Sequence, residues 1–342
     1  MISASYERNH TIRIGPCVPV PPGDDDVQIR VAFGGICGTD LHIYHGKMDW
    51  RTGESRVIGH EISGSIASVG VNVRGLKVGD PVTVMPLLPC GNCPACAAGH
   101  SHICHNLKFL GIDAAGGFQS LWTVPAHTVL PLPKSLSLQH AALIEPIAVA
   151  CHDVRLGRVT AGEFVVVLGG GPIGALIAFV ARQAGARVLV SEINPHRLAA
   201  LKKIGIDAVD PTAIDLPKHV NDQTGGAGAD AVFEVTGHKS GIEMATKLPR
   251  TRGRIIAVGI FSEPPPVDLF RFFWRELQLI GARVYEREDF ARAIELAASG
   301  SLPLESLISD VVPLAGLRDA LDRMGGSGDV MKILVNCDTE AT

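Results

Sequence analysis

Seven side chains able to bind a metal fall in two short stretches of the first third of this chain. Cys90, Cys93, Cys96 and Cys104 lie in CGNCPACAAGHSHIC, spaced C-x2-C-x2-C-x7-C. Cys37 lies in ICGTD, and His60 and Glu61 are adjacent in GHE. Four thiolates suit tetrahedral zinc in a closed, structural site. Ferredoxin-type runs also begin C-x2-C-x2-C but continue x3-C-P; here the last spacing is longer and no proline follows Cys104, so zinc is expected. His100, His102 and His105 could also bind a metal. With four cysteines at hand they are read as surface residues. A closed site leaves no coordination position for a substrate, so its expected work is to hold a lobe in shape. Cys37, His60 and Glu61 differ: a soft, a borderline and a hard donor could hold a catalytic zinc that keeps one position open.

A third group has another chemistry. Gly169, Gly171 and Gly174 form G-x-G-x-x-G after the strand-like run FVVVL, and Pro172 and Ile173 within the loop open a helix-like run. Such glycines allow the tight turn, the approach of backbone to a pyrophosphate, and close packing of helix on strand. The free N–H groups and dipole of the helix N-terminus favour phosphate. Glu192 ends the next strand-like run, ARVLVSE, eighteen positions after Gly174. A carboxylate there can take the adenosine ribose hydroxyls and would repel a 2′-phosphate, which favours NAD over NADP; a nearby arginine such as Arg197 can accommodate that phosphate. Thr236 and Gly259 follow later strand-like runs and are further candidate cofactor contacts.

The elements that must position these residues change character along the chain. To about Pro146 the sequence is rich in short β-like runs broken by Gly and Pro: VQIRVAFGGI, SGSIASVG, DPVTVMP, FQSLWTVP. That pattern predicts a β-rich, barrel-like domain. From about Ile147, six strand-like runs alternate with helical stretches, which predicts a doubly wound parallel six-stranded sheet. An amphipathic stretch, REDFARAIELAASG, follows, and the terminal MKILVNC reads as a strand returning to the first domain. The predicted division is 1–146 with 285–342, and 147–284.

Composition narrows the class. The chain has 342 residues, 46% hydrophobic and 19% charged, with a net charge of −4 and no basic run, which gives no electrostatic reason to expect nucleic acid. The run from Phe164 to Ala181 is uncharged, but glycines and Pro172 interrupt it, so a buried strand and helix are expected, not a membrane span. No basic-then-apolar leader opens the sequence, and four of eight cysteines cluster at metal spacing. A cytoplasmic, reducing location is therefore expected. Cys17, Cys151 and Cys337 are read as small buried hydrophobes.

GHEISGSIASVGVNV resembles the zinc signature of the medium-chain dehydrogenase/reductase family, and ICGTD, the four-cysteine loop, GGGPIG and the terminal KILVN strand match in order. The resemblance covers essentially the whole chain. It implies a GroES-like catalytic domain, a Rossmann domain, two zinc ions and NAD per chain, and a homo-oligomer, dimer or tetramer, joined through the edge of the nucleotide domain. LIEPIAVACH resembles the polyol, butanediol and threonine dehydrogenase branch, which implies Cys37, His60 and Glu145 around the catalytic zinc. In that branch Glu61 can coordinate directly, and which carboxylate is the ligand stays open. Thr39 resembles the hydroxyl that starts the family's proton relay, and His42 the group that hands the proton to solvent. Arg283 resembles an arginine near cofactor and substrate in polyol dehydrogenases. Relatives line the substrate pocket with the stretch that holds Tyr44, His45 and Trp50.

The expected activity is NAD-linked oxidation of a secondary alcohol, a polyol or sugar-like small molecule, to its ketone, the zinc acting as a Lewis acid on the hydroxyl. L-threonine 3-dehydrogenase, to which ICGTDLHIY is similar, and (R,R)-butanediol dehydrogenase are the alternatives. A non-catalytic dinucleotide-binding relative is the alternative from outside the enzymes.

Overall fold

The computed structural model describes residues 1–326 and 328–338. The chain divides into two compact units, Met1–Glu145 with the segment from Glu286 onward, and Pro146–Tyr285.

In the first unit a sheet runs in the order Val129–Pro131, Pro81–Val84, Glu61–Val69, Asp26–Gly35, Lys332–Asn336, Ile308–Pro313, and Leu121–Pro125 also pairs with Asp26–Gly35. The terminal strand does return: Lys332–Asn336 lies antiparallel to Asp26–Gly35 and parallel to Ile308–Pro313. Val27, Ile29, Val31, Ile62, Ile66, Trp122 and Val335 are buried in this sheet. The alternating burial of Asp26–Gly35 is what a strand with one core face produces. A smaller sheet sets Ile2–Tyr6 between Ile12–Pro16 and Arg56–Val57.

In the second unit all six strands are parallel, in the order Asp207–Val209, Arg187–Ser191, Phe164–Leu168, Ala229–Glu234, Pro249–Ala257, Gln278–Gly281. The first strand in sequence lies at the centre and the order reverses beside it, which is the switch point where open α/β sheets take ligands. Phe164–Leu168 is buried along its whole length, as a central parallel strand must be. The apolar run that mimics a membrane span is this strand followed by the helix Pro172–Gln183, and no described helix is long and apolar enough to cross a membrane. The last strand is shorter than its apolar run: pairing ends at Gly281, and Val284 has a positive φ of 51°.

Candidate functional site

Cys37 immediately precedes the helix Gly38–Tyr44, and the Asp40 carboxylate accepts its backbone N–H at 2.8 Å. Thr39 and His42 are three apart on that helix, so they share a face. His60 and Glu61 enter from the start of the strand Glu61–Val69. The ligand atoms of Cys37, His60 and Glu61 all lie within 4.8 Å of one another. Glu145, in the helix Ile144–Leu156, is buried but stands outside that group.

His60 is buried, and its Nδ1 lies 3.7 Å from Asp40 Oδ1 with no hydrogen bond to either atom. Burial alone would lower the imidazole pKa; Asp40, Cys37 and Glu145 outweigh it and hold the ring above its ordinary range. Asp40 itself is pushed up by burial. A carboxylate behind one imidazole nitrogen is the arrangement that orients a metal-binding histidine. The donor set, with Asp40 behind His60 Nδ1, therefore fits a zinc ion. Asp40 is a residue that sequence reading missed; its position three after Cys37 was the available signal.

The four-cysteine loop comes together as expected. Sγ separations are 3.4 Å for Cys90–Cys104, 3.6 Å for Cys93–Cys96 and 3.8 Å for Cys93–Cys104. Tetrahedral zinc with bonds near 2.3 Å gives edges of roughly 3.8 Å. Backbone N–H groups of Cys90 and Asn106 point at Cys104 Sγ, and that of His105 at Cys93 Sγ. The Asn92 backbone and the Asn106 side chain bring the Cys90 thiol down to about 6. Burial and the neighbouring Cys93 push Cys96 up to about 11. Four thiolates cannot share this space without a cation, and a bound metal ionises its thiols outright. His100 and His105 are exposed as expected, but His102 is buried, its Nδ1 3.5 Å from Glu286 Oε1. Among the scattered cysteines, Cys151 and Cys337 are buried and Cys17 is only half-buried.

In the second unit the glycine loop has the required geometry. Gly169 has φ +100°, and a Cβ on Gly174 would strike the Gly169 carbonyl. Gly171 precedes the helix that Pro172 and Ile173 open, with no side chain capping it. Glu192 is buried and accepts the backbone N–H of Gly170 and of Asn194, each at 2.8 Å. The Arg197 guanidinium lies beside Gly171, its Nε buried and unpartnered. An uncapped helix N-terminus, a loop without side chains and an unpartnered guanidinium nitrogen fit a dinucleotide's phosphates.

Thr236 and Gly259 lie in loops after two neighbouring strands, and a buried carboxylate missed in the sequence ties them together. Glu234 accepts the backbone N–H groups of Thr236 (2.9 Å) and Gly237 (3.2 Å) and the Thr236 hydroxyl. A Cβ on Gly259 would collide with this carboxylate and with Gly237. Arg283 is exposed, two residues past the edge strand.

Two family models match, the alcohol dehydrogenase GroES-like domain over residues 23–134 and the zinc-binding dehydrogenase domain over residues 172–299. The 2-dehydro-3-deoxy-L-galactonate 5-dehydrogenase of Pseudoalteromonas atlantica is 50% identical over 99% of this chain and 100% of its own. The L-threonine 3-dehydrogenase of Pyrococcus abyssi is 35% identical over 85% of this chain and 86% of its own. A Sinorhizobium meliloti protein solved with NADP bound superposes with a TM-score of 0.92 at 31% identity, covering 98% of each chain. The chain belongs to the zinc-dependent medium-chain dehydrogenase family, in its polyol and threonine dehydrogenase branch. It is an oxidoreductase acting on CH–OH groups, with zinc and a nicotinamide dinucleotide as cofactors.

Proposed function

We propose that this enzyme oxidises a secondary hydroxyl of a sugar acid or related polyol to the ketone and passes the hydride to NAD. The observation that carries the chemistry is the convergence of Cys37, His60 and Glu61 donor atoms within 4.8 Å. The substrate class is supported by the half-identical relative, named for oxidation of a sugar acid. Cys37 and His60, with Glu145 and Glu61 as the available carboxylates, would hold the catalytic zinc, and Cys90, Cys93, Cys96 and Cys104 a second, structural one. When bound, the catalytic zinc supplies Lewis acidity toward the substrate hydroxyl. NAD supplies the hydride acceptor; the protein's part is to place it.

In this reading Met1–Glu145 with the segment from Glu286 onward is the catalytic domain, and Pro146–Tyr285 the nucleotide domain. Gly169, Gly171, Pro172, Ile173 and Gly174 receive the pyrophosphate, and Glu192 faces the adenosine ribose and favours NAD. Arg197 serves the phosphates, and Thr236, Gly259 and Arg283 border the cofactor. Thr39 takes the proton of the substrate hydroxyl and His42 delivers it to solvent.

Burial, then Lys47 and His45, lower the His42 pKa from its ordinary 6.5. A neutral imidazole can accept a proton, so His42 keeps its role to below that value. The acid limb of kcat/KM for alcohol oxidation is expected below pH 6.5, and His42→Asn should remove it and slow turnover at neutral pH by about 10²-fold or more. The sign for stability agrees: this histidine's contribution is whole above pH 6.5 and is lost as pH falls through its lowered folded value. An unchanged profile in the variant contradicts the relay.

The exposed Leu269, Phe270, Phe273 and Trp274 on the helix Leu269–Arg275, and Leu279 on the edge strand, support assembly of two or four copies through this edge. Light scattering that returns a monomer contradicts it. A cytoplasmic location fits a chain that keeps thiols for metal.

L-threonine is the second reading, favoured by ICGTDLHIY and by the threonine dehydrogenase relatives. The test of both is the rate of NAD reduction across aldonic and deoxyketo sugar acids, sugar alcohols, L-threonine and 2,3-butanediol. A sugar acid should give the highest kcat/KM. Preference for L-threonine would reverse the two readings.

A further inference from the structure

One arginine near the metal cluster has only part of its hydrogen-bonding capacity engaged. Arg51, in the short helix Asp49–Thr52, is held side-on by Asp113: Nε donates to Oδ1 at 2.9 Å and Nη2 to Oδ2 at 2.5 Å. A guanidinium has five N–H donors in a fixed fork. The pair takes two of them; both protons of Nη1 and the second of Nη2 meet no acceptor among the described residues. Only 16% of the Arg51 side chain is exposed, so an anion on that open edge would be partly removed from water, where an ion pair is stronger than at the surface.

Asp113 ties this arginine to the loop that packs on the metal histidine. Asp113 Oδ2 also accepts the Phe109 N–H at 2.7 Å. The Phe109 ring stands edge-on to His60, centroids 5.5 Å apart. A Cβ on Gly111, midway between Phe109 and Asp113, would strike the Gly59 carbonyl and crowd His60 Cβ. The loop 108–114 therefore lies against His60 and its neighbour and carries Arg51 on Asp113. Lys332, a buried cation of the same region, is fully engaged: it donates to both Glu61 oxygens at 2.7 Å and to the Ile36 carbonyl at 3.0 Å. Arg51 is the one with open donors.

A sugar acid presents a hydroxyl to be oxidised and, a few carbons away, a carboxylate. The arginine fork matches a carboxylate with two parallel N–H···O bonds. We propose that Arg51 binds the substrate's carboxylate end-on through Nη1 and Nη2, while Asp113 holds the guanidinium by its other edge, and that this contact selects sugar acids over neutral polyols. The inference rests on the function proposed above. The carboxylate takes no part in hydride transfer, so the contact acts equally on ground and transition states, and its loss falls on KM rather than kcat.

The test uses the full-length protein loaded with zinc at both sites and supplied with NAD. It is offered L-galactonate, which has a carboxylate at C1, and galactitol, which has CH2OH there. The unaltered protein should favour L-galactonate. In Arg51→Met the KM for L-galactonate should rise about 10²-fold, the worth of two charge-assisted hydrogen bonds, with kcat within about threefold. The kcat/KM for galactitol should stay within about twofold, since galactitol has no charge to lose a partner. Arg51→Lys, a charge without the fork, should recover part of the loss. Equal losses on both compounds, or an unchanged ratio between them, overturn the proposal. If Arg51→Met does not fold, arginine labelling of the unaltered protein with phenylglyoxal decides, read peptide by peptide. L-galactonate should protect Arg51 and galactitol should not; labelling that L-galactonate leaves unchanged overturns the proposal. Failure of the underlying reading looks different. There, the unaltered protein oxidises neither compound or prefers galactitol, and the proposal falls with it before any variant is compared.

Discussion

Cys37→Ala leaves a folded protein that holds one zinc per chain instead of two, binds NAD as before, and turns over no substrate at a measurable rate. Cys37 is only half-buried and ends the loop before a short helix, so removal of its sulfur opens little of the core. What is lost is one of the donors that Cys37, His60 and Glu61 bring within 4.8 Å. Removing a Lewis acid forfeits several kcal/mol of transition-state stabilisation, which is a loss of roughly 10³-fold or more in kcat. The glycine loop and Glu192 belong to the other unit, and the NAD dissociation constant should stay within about twofold, since the substitution changes none of the residues that receive the dinucleotide. Metal content by mass spectrometry, NADH fluorescence titration and turnover check the three parts separately. Turnover within tenfold of the unaltered protein would remove this site from the chemistry.

Cys104→Ala should produce the reverse pattern. Cys104 is buried, its sulfur lies 3.4 Å and 3.8 Å from those of Cys90 and Cys93, and two backbone N–H groups point at it. Without it the remaining thiols face a cavity and three unsupported charges, and the zinc they hold escapes. Loss of a structural metal belongs to the few mechanisms that cost about 4 kcal/mol or more. In a domain near 200 residues that lowers the melting temperature by roughly 10 °C. Cys104→Ala should lose one zinc and melt at the lower temperature, yet keep the zinc at Cys37 and His60. The contrast separates the two sites: one variant loses activity without stability, the other loses stability first. Equal melting temperatures would show that the four-cysteine lobe carries no metal that matters to the fold.

Most of this site was readable from residue order because its parts are local. C-x2-C-x2-C, GHE and G-x-G-x-x-G each place their side chains within one turn or loop, so spacing alone constrains geometry. The six parallel strands were equally readable, since a buried strand such as Phe164–Leu168 is apolar throughout. What escaped depends on partners far away in sequence. Lys332 meets Glu61 across 271 positions, and a lysine second in MKILVNC carries no sign that it ends in a buried pair. Glu234 looks like any strand-end acid until its carboxylate is seen between Thr236, Gly237 and Gly259. His102 was read as a surface residue because four cysteines already supply the metal's ligands; Glu286 gives it a partner from a segment that returns much later.

The proposed function is NAD-linked oxidation of a sugar-acid or polyol hydroxyl by a protein that holds two zinc ions. The most direct measurement is the appearance of reduced nicotinamide with protein shown to hold two zinc ions per chain, offered aldonic and deoxyketo sugar acids, sugar alcohols, L-threonine and 2,3-butanediol, with NAD and with NADP. Turnover should be fastest with a sugar acid and NAD, and should disappear once the zinc at Cys37 and His60 is removed. Turnover that survives loss of that zinc, or silence across the whole panel from protein that binds NAD and both zinc ions, would contradict it.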